Sequence, residues 1–334
     1  MADSMTFKQW IYAAALSAAA VPAQAGLLNL AWDNDFLTGS DRGYTNGVRL
    51  SWLGDSAESN PRCDQGCATN HVRTALSWLP GIGGADRQHA LSISVSQAMI
   101  TPENIESREP IYDDLPYVGY LAVQPGIYAW SDRVLTGYAL NVGVVGKESG
   151  ASQMQRWVHH MIGSTRPLGW DNQLGTDVLG GISAIHVRRL FTGQLNNGLQ
   201  HEWTWGVGAR LNSFISDAET GFSYRIGRNL PGNFVPEYAG ASPSLGLPGL
   251  LETQSWGWDV FASVLVQGVA YSYIEEKGGP YNYRKKDAVG ALTLGVGLHS
   301  RNFHMALAVR ASTAQEDENK EAMTFGTLSF SWRI

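Results

Sequence analysis

Two polar clusters, far apart in the chain, hold the residue types that hydrolytic chemistry uses. The first is W-D-N-D-F-L-T-G-S-D-R-G-Y-T-N-G over residues 32–47, with Asp33, Asn34, Asp35, Asp41, Arg42, Tyr44 and Thr45 in one short stretch. The second is S-Q-M-Q-R-W-V-H-H-M-I-G-S-T-R-P-L-G-W-D-N-Q-L over residues 152–174, which contains Gln155, His159 and His160. A third polar run, Thr101 to Tyr117, lies between them and carries T-P-E-N-I and D-D-L-P-Y. Histidine changes charge near neutral pH and suits a general base. Carboxylate, amide and hydroxyl oxygens suit a hard cation such as Ca²⁺, which can stabilise an oxyanion. The sequence has no G-x-S-x-G elbow. A cation with a histidine-activated water is therefore a more economical scheme than a serine nucleophile.

These residues need elements to position them. Leu28, Leu30 and Trp32 alternate before the first cluster, and Val48, Leu50 and Trp52 alternate after it. That pattern predicts a strand, a polar tip and a strand. The second cluster breaks the period. Met154, Trp157, Val158, Met161 and Ile162 follow the spacing of an amphipathic helix of about three turns. Ser152 is the expected N-cap and Gly163 the expected stop. On a wheel of ~100° per residue, Gln155 and His159 share one border of the apolar stripe, one turn apart. Arg156 and His160 fall on the solvent side. If such a helix lies on a barrel mouth by its apolar stripe, His159 sits at the buried edge with Gln155 beside it.

Period-2 alternation dominates the rest of the chain. Leu91, Ile93 and Val95 alternate with serines; Leu292, Leu294, Val296 and Leu298 alternate with threonine and glycine; Leu328, Phe330 and Trp332 alternate with Ser329, Ser331 and Arg333. One face is large and apolar, and the other is small or polar. Only 16% of the 334 residues are charged, with 38 glycines, 12 tryptophans and 13 tyrosines, against about a quarter charged in soluble domains. A membrane barrel turns its apolar face to lipid and its small and polar face to the lumen, and its sheet must close. The expected fold is all-β: an antiparallel twelve-stranded transmembrane β-barrel with a short extracellular-side helix. Its strands fall near 27–35, 44–53, 88–100, 117–128, 133–146, 175–192, 199–214, 218–228, 256–274, 285–299, 302–312 and 322–334. Both termini are then periplasmic. Two connections on that side, 54–87 and 229–255, are long where such turns are usually short. Gly, Ala and Ser on several lumen faces would permit an open pore.

Lys8, the apolar run Trp10 to Val21 and Ala23-Gln24-Ala25 have the features of an export signal cleaved after Ala25. The domain reading is residues 1–25 as signal peptide and 26–334 as one barrel domain. In an exported protein Cys63 and Cys67 read as a local disulfide. A net charge of −6 argues against nucleic acid as a partner.

The strings D-N-D-F with D-R-G-Y-T-N-G, T-P-E-N, D-D-L-P-Y-V-G-Y, Q-R-W-V-H and G-W-D-N-Q-L resemble the outer-membrane lipid A 3′-O-deacylase family. The resemblance covers the mature chain. It implies a twelve-stranded barrel in the bacterial outer membrane that removes the 3′-linked acyloxyacyl chain of lipid A with Ca²⁺. By motif it assigns catalytic roles to Asn34, Asp35, Thr45, Gln155 and His159, with Asn34, Asp35 and Thr45 at the metal. It implies lipid A in the outer leaflet as partner and a monomer. Arg42, Arg156 and Arg166 are candidates for its phosphates, against plain solvation of each. The chain departs from the family pattern, and no position is assigned to the family's active-site lysine. The family has a glutamate and a tyrosine shortly after the histidine, and this chain reads Gly163-Ser164-Thr165-Arg166-Pro167 there. Alternation also puts Asn34 opposite Asp35 and Thr45, so the first strand is expected to end at Asp33 or to bulge and turn Asn34 inward. The competing readings are an outer-membrane phospholipase, whose Ser, His and Asn spacing is not found, and a passive channel.

Overall fold

The structure is a computed structural model that describes residues 26–34, 43–59, 63, 66–84, 86–235, 255–316 and 323–334. Asp35, Asp41 and Arg42 lie outside the described residues, and at Thr45 the backbone alone is described. Strands β1 (Gly26–Asn34), β2 (Gly43–Gly54), β3 (Gln88–Thr101), β4 (Val118–Trp130), β5 (Val134–Val145), β6 (Val178–Gln194), β7 (Gln200–Asn212), β8 (Ile215–Arg228), β9 (Gly257–Ser272), β10 (Ala288–His299), β11 (Phe303–Ser312) and β12 (Met323–Arg333) form one antiparallel sheet. Each strand pairs with its chain neighbours, and β1 pairs with β12 to close the barrel. Among the described residues three α-helices accompany it: α1 (Ala68–Ala75), α2 (Ala151–Ile162) and α3 (Tyr273–Lys277). No described helix is long and apolar enough to cross a membrane; the strands do so.

The two faces of the wall are inverted relative to a soluble protein. Leu140, Val142, Ile182, Val264, Val266 and Leu294 point outward and exposed, while Arg49, Glu202, Arg210, Asp217, Arg225 and Arg310 are buried within. Outward apolar groups meet lipid, and lumen charges must find partners. Arg210 donates to Asp217 at 2.6 Å, and Gln267 donates to the same carboxylate. Glu202 holds two guanidinium groups, Arg189 at 3.0 Å and Arg225.

The lumen is not the open pore that the alternative reading of a passive channel would need. Its extracellular end is packed by Val118, Tyr120, Val145, Leu179, Tyr273 and Ile274, with Tyr120 stacked on Phe214 at 4.2 Å. At the other end Phe234 and Val235 join Leu27, Leu53, Tyr128 and Trp130 in a buried cluster, and the Arg189 guanidinium lies 4.6 Å over Phe234. The connection after β8 is long because its start enters the lumen as a plug. The one after β2 is long because it folds back on the outer wall. There Ile82 is fully buried against Ile127 and Ala129, and the Tyr138 hydroxyl donates to the Pro80 carbonyl at 3.0 Å. The Cys63–Cys67 disulfide closes the turn before α1.

Glu58 pins this segment. It accepts from the His89 backbone N–H at 2.7 Å and lies 2.6 Å from His89 Nδ1. Burial pushes the Glu58 carboxyl up, but the His89 hydrogen bonds outweigh it and hold the group below its ordinary value. A depressed carboxylate stabilises above its unfolded pKa, and the stabilisation is lost as pH falls through the folded one. Hydrogen exchange of residues 68–84 should therefore rise as pH drops below about 4.5, in a wild-type protein but not in Glu58→Gln. Replacing Glu202 by Ala should strand the buried Arg225 and the half-buried Arg189 and lower the unfolding free energy by about 3–5 kcal/mol, read from denaturant-dependent gel migration of the folded barrel.

Candidate active site

Helix α2 starts one residue before Ser152. Gly150 occupies the cap position with φ 69°, after a 3-10 turn at Lys147–Ser149. Ser152 is therefore not the N-cap: its hydroxyl donates to Gln153 Oε1 at 2.9 Å, while the Ala151 N–H donates to Ser149 Oγ at 3.3 Å. The stop is at Gly163, where φ is 70° and the Ser164 N–H donates to the His159 carbonyl at 2.9 Å. Only glycine takes that left-handed conformation at no steric cost.

The packing face is rotated from the apolar stripe. Ala151, Ser152 and Gln155 are buried, whereas Trp157 and Met161 are 57% and 62% exposed. Ala151, Ser152 and Gln155 face the protein with Met154 beside them, and Trp157 and Met161 point away. The location of the helix explains this. It does not cover the barrel mouth; it lies on the outer wall at the extracellular rim, where the surrounding medium is the apolar boundary of the membrane.

A row of outward-facing positions runs beneath it. Asn34 pairs with Asn46, Asn46 with Met99, and Met99 with Gly119, across β1 to β4. Gly119 permits the close approach, since a Cβ there would lie 2.3 Å from Ser149 Oγ and 2.5 Å from the Ala151 Cβ. Met99, Tyr117, Ala151 and Trp170 form a buried cluster between helix and wall. Gln97 Nε2 donates to the Ser149 carbonyl at 2.6 Å.

This row changes the meaning of Asn34. Strand β1 runs regularly through Asn34, paired on both sides, so it neither ends at Asp33 nor bulges there. The irregularity lies in β2, between Tyr44 and Asn46, at Thr45. Asn34 keeps the outward parity, and that is the face on which α2 docks. Asp33 points inward, where it accepts from the Thr327 hydroxyl at 2.6 Å.

Gln155 is 2% exposed, and its Oε1 accepts from Trp170 Nε1 at 2.6 Å. Its Nε2 has no partner among the described residues and is an orphan donor. Trp170 is held by Tyr117, with ring centroids 4.9 Å apart. Tyr117 in turn donates to the Ile105 carbonyl at 2.9 Å, and burial pushes its phenol up to about 12. His159 is half-buried, and His160 is exposed. His159 Nδ1 lies 2.5 Å from the Thr165 carbonyl. A carbonyl only accepts, so Nδ1 carries the proton and Nε2 keeps its lone pair. The stretch 163–167, which departs from the family pattern, thus orients the histidine through its backbone.

Asn34 and Asn46 are both buried, and Asn46 Oδ1 has no partner among the described residues. An orphan amide oxygen beside Asn34 is a donor type that fits a hard cation. Asn46, Tyr117, Gly119 and Trp170 were not singled out by residue chemistry, although all four fall within the motif strings. Arg156 is half-buried and Arg166 exposed. A different cluster, Asp259, His299 and His304, has three possible metal-binding side chains and lies within the lumen at the opposite end. Gly119→Val should lift α2 from the wall and leave the barrel closed. Limited proteolysis at 163–166 would speed up while the heat-modifiable gel shift of the folded barrel stays unchanged.

The family model for the outer membrane protein LpxR matches residues 7–334. The solved structure of LpxR from Salmonella typhimurium aligns with a TM-score of 0.70 at 15% identity, covering 92% of this chain and 99% of that chain. The beta domain of the Bordetella autotransporter BrkA aligns at 9% identity with a TM-score of 0.44, covering 92% of this chain and 98% of that one. No curated protein matches the chain. The LpxR structure shows the shared barrel fold. The family match spans nearly all of the sequence, and on it this chain belongs to the LpxR family of outer membrane proteins, the lipid A 3′-O-deacylase family.

Proposed function

We propose that the protein is an esterase that hydrolyses the 3′-linked acyloxyacyl chain of lipid A from the outer leaflet. One observation carries this reading: the oriented His159 and the orphan amide of Gln155 are carried on the outside of the wall by α2, whose exposed side presents Trp157 and Met161. A site on that face meets a lipid substrate laterally, without passage through the lumen. Export of the chain is assigned to residues 1–25, and the enzyme is read as a monomer.

In this mechanism His159 Nε2 accepts a proton from a water, and the Thr165 carbonyl holds the imidazole in the required tautomer. The water oxygen attacks the ester carbonyl carbon. As the ester C–O bond breaks, the proton returns from Nε2 to the departing 3′ oxygen of the sugar, which leaves as the 3′-hydroxyl. The products are the free acyloxyacyl fatty acid and the shortened lipid A. Gln155 Nε2 donates to the water or to the developing oxyanion, and Trp170 fixes that amide. Asn34, Asp35 and Thr45 would hold Ca²⁺, whose chemistry is to stabilise negative charge on the carbonyl oxygen. The packing of the lumen at both ends weighs against a passive channel.

Mass spectrometry of lipid A from cells expressing the protein, with and without Ca²⁺, tests the reading. The expected result is Ca²⁺-dependent loss of the 3′-linked chain. An unchanged acylation pattern under both conditions refutes it, and phospholipid release with intact lipid A would show a phospholipase instead. His159→Ala should lower the rate by about 10²–10⁴-fold. Trp170→Phe, which frees Gln155, should cost roughly tenfold, about one hydrogen bond.

A further inference from the structure

At the periplasmic end of the lumen, three neighbouring strands bring together side chains that the site on the outer wall does not use. Asp259 lies near the start of β9, His299 ends β10 and His304 opens β11. His299 pairs directly with His304 across the sheet, and Asp259 pairs with Gly297 two residues before His299. They are 3%, 0% and 7% exposed, and one ligand atom from each lies within 4.8 Å of the others. We propose that Asp259, His299 and His304 form a binding site for a divalent transition cation of the Zn²⁺ class.

The hydrogen bonding of His299 carries the proposal. His299 Nε2 lies 2.8 Å from the Asn229 carbonyl. A carbonyl only accepts, so Nε2 carries a proton. Nδ1 of the neutral ring is then a lone pair. It faces Asp259 Oδ2 at 3.4 Å, and neither atom has a hydrogen-bond partner among the described residues. Two buried lone pairs aimed at each other repel unless something positive sits between them. Arg225, a cation near Asp259, is committed to Glu202 and to the carbonyls of Pro231 and Asn233. The remaining candidates are an added proton on His299 or His304 and a metal ion.

Geometry and donor type favour the metal. With metal–ligand bonds of about 2.0–2.1 Å, two ligand atoms of a tetrahedral centre are about 3.3 Å apart. The observed 3.4 Å matches that edge. A protonated ring would satisfy Asp259 and His299 alone; a metal also recruits His304. The donation from His299 Nε2 to a backbone carbonyl is the outer-shell contact that orients metal-binding histidines. Glycines make the space. A Cβ at Gly257 would be 2.2 Å from His299 Nε2, and one at Gly297 would be 2.7 Å from Asp259 Oδ2. Two imidazoles and one carboxylate suit Zn²⁺, whereas Ca²⁺ takes oxygen. The site is therefore separate from the hard-cation site on the outer wall. Three protein ligands leave a fourth position for water, and the bound ion would tie β9, β10 and β11 to the turn at Asn229.

The test is titration of the untagged, folded, metal-stripped full chain with Co²⁺, followed by its visible d–d absorption. The expected result is one equivalent per chain with tetrahedral bands, displaced by Zn²⁺ and not by excess Ca²⁺, and a rise in unfolding temperature with Zn²⁺. His299→Ala and Asp259→Asn should each abolish the bands in protein that still shows the gel shift of a closed barrel. Absence of saturable Co²⁺ binding by the wild-type chain overturns the proposal, whether or not the variants fold. So does binding that survives unchanged in both variants, or displacement of Co²⁺ by Ca²⁺.

Discussion

Within a bilayer core no water is present to pair a free N–H or C=O, so every backbone group must find its partner in the protein. The closing contact between β1 and β12 meets that demand. Gly26, which opens β1, and Ile334, which follows β12, exchange backbone bonds, Ile334 N–H to the Gly26 carbonyl at 2.9 Å and Gly26 N–H to the Ile334 carbonyl at 3.3 Å. Once the sheet is closed, its faces are committed. Large apolar side chains must leave the wall, and polar ones must be accommodated in the lumen. The ion pairs of Glu202 with Arg189 and Arg225, and of Arg210 with Asp217, follow from that commitment. So does the plug of Phe234 and Val235, which occupies space a twelve-stranded lumen would otherwise leave open.

Inversion also governs where a lipid-directed site can stand. A substrate held in the outer leaflet approaches from outside, and the outward face of the rim is where α2 docks. The helix carries out the same inversion as the strands. It turns Ala151, Ser152 and Gln155 toward protein and leaves Trp157 and Met161 outermost. An amphipathic pattern alone does not say which stripe faces protein, because that depends on whether the medium is water or lipid. The chain Ile105–Tyr117–Trp170–Gln155 then passes rigidity from a loop to the buried amide.

Much of this was legible in the residue order. Strict period-2 alternation located twelve strands to within a few residues, because a β-strand places successive side chains on opposite faces. The spacing of Met154 to Ile162 located the helix, and the chemistry of His159 and Gln155 marked them before any contact was known. The filling of the lumen was not legible. Gly, Ala and Ser on several strands would permit an open pore, yet the space is taken by long charged side chains from other strands and by the connection after β8.

Local sequence therefore determined the elements: the strand count, the inverted faces, the helix that stops at Gly163, and the residues able to do acid–base chemistry. These depend on backbone periodicity and side-chain type, both readable over a few residues. Tertiary structure alone decided that α2 lies outside the wall and not over the mouth, and so that an outward Asn34 belongs to the docking face. It also decided which carbonyl orients His159. Such facts depend on pairings between residues distant in the chain, Asn34 with Asn46, Met99 with Gly119, and Gly119 against Ala151. No local pattern encodes them, since they arise only when the closed sheet fixes which outward positions become neighbours.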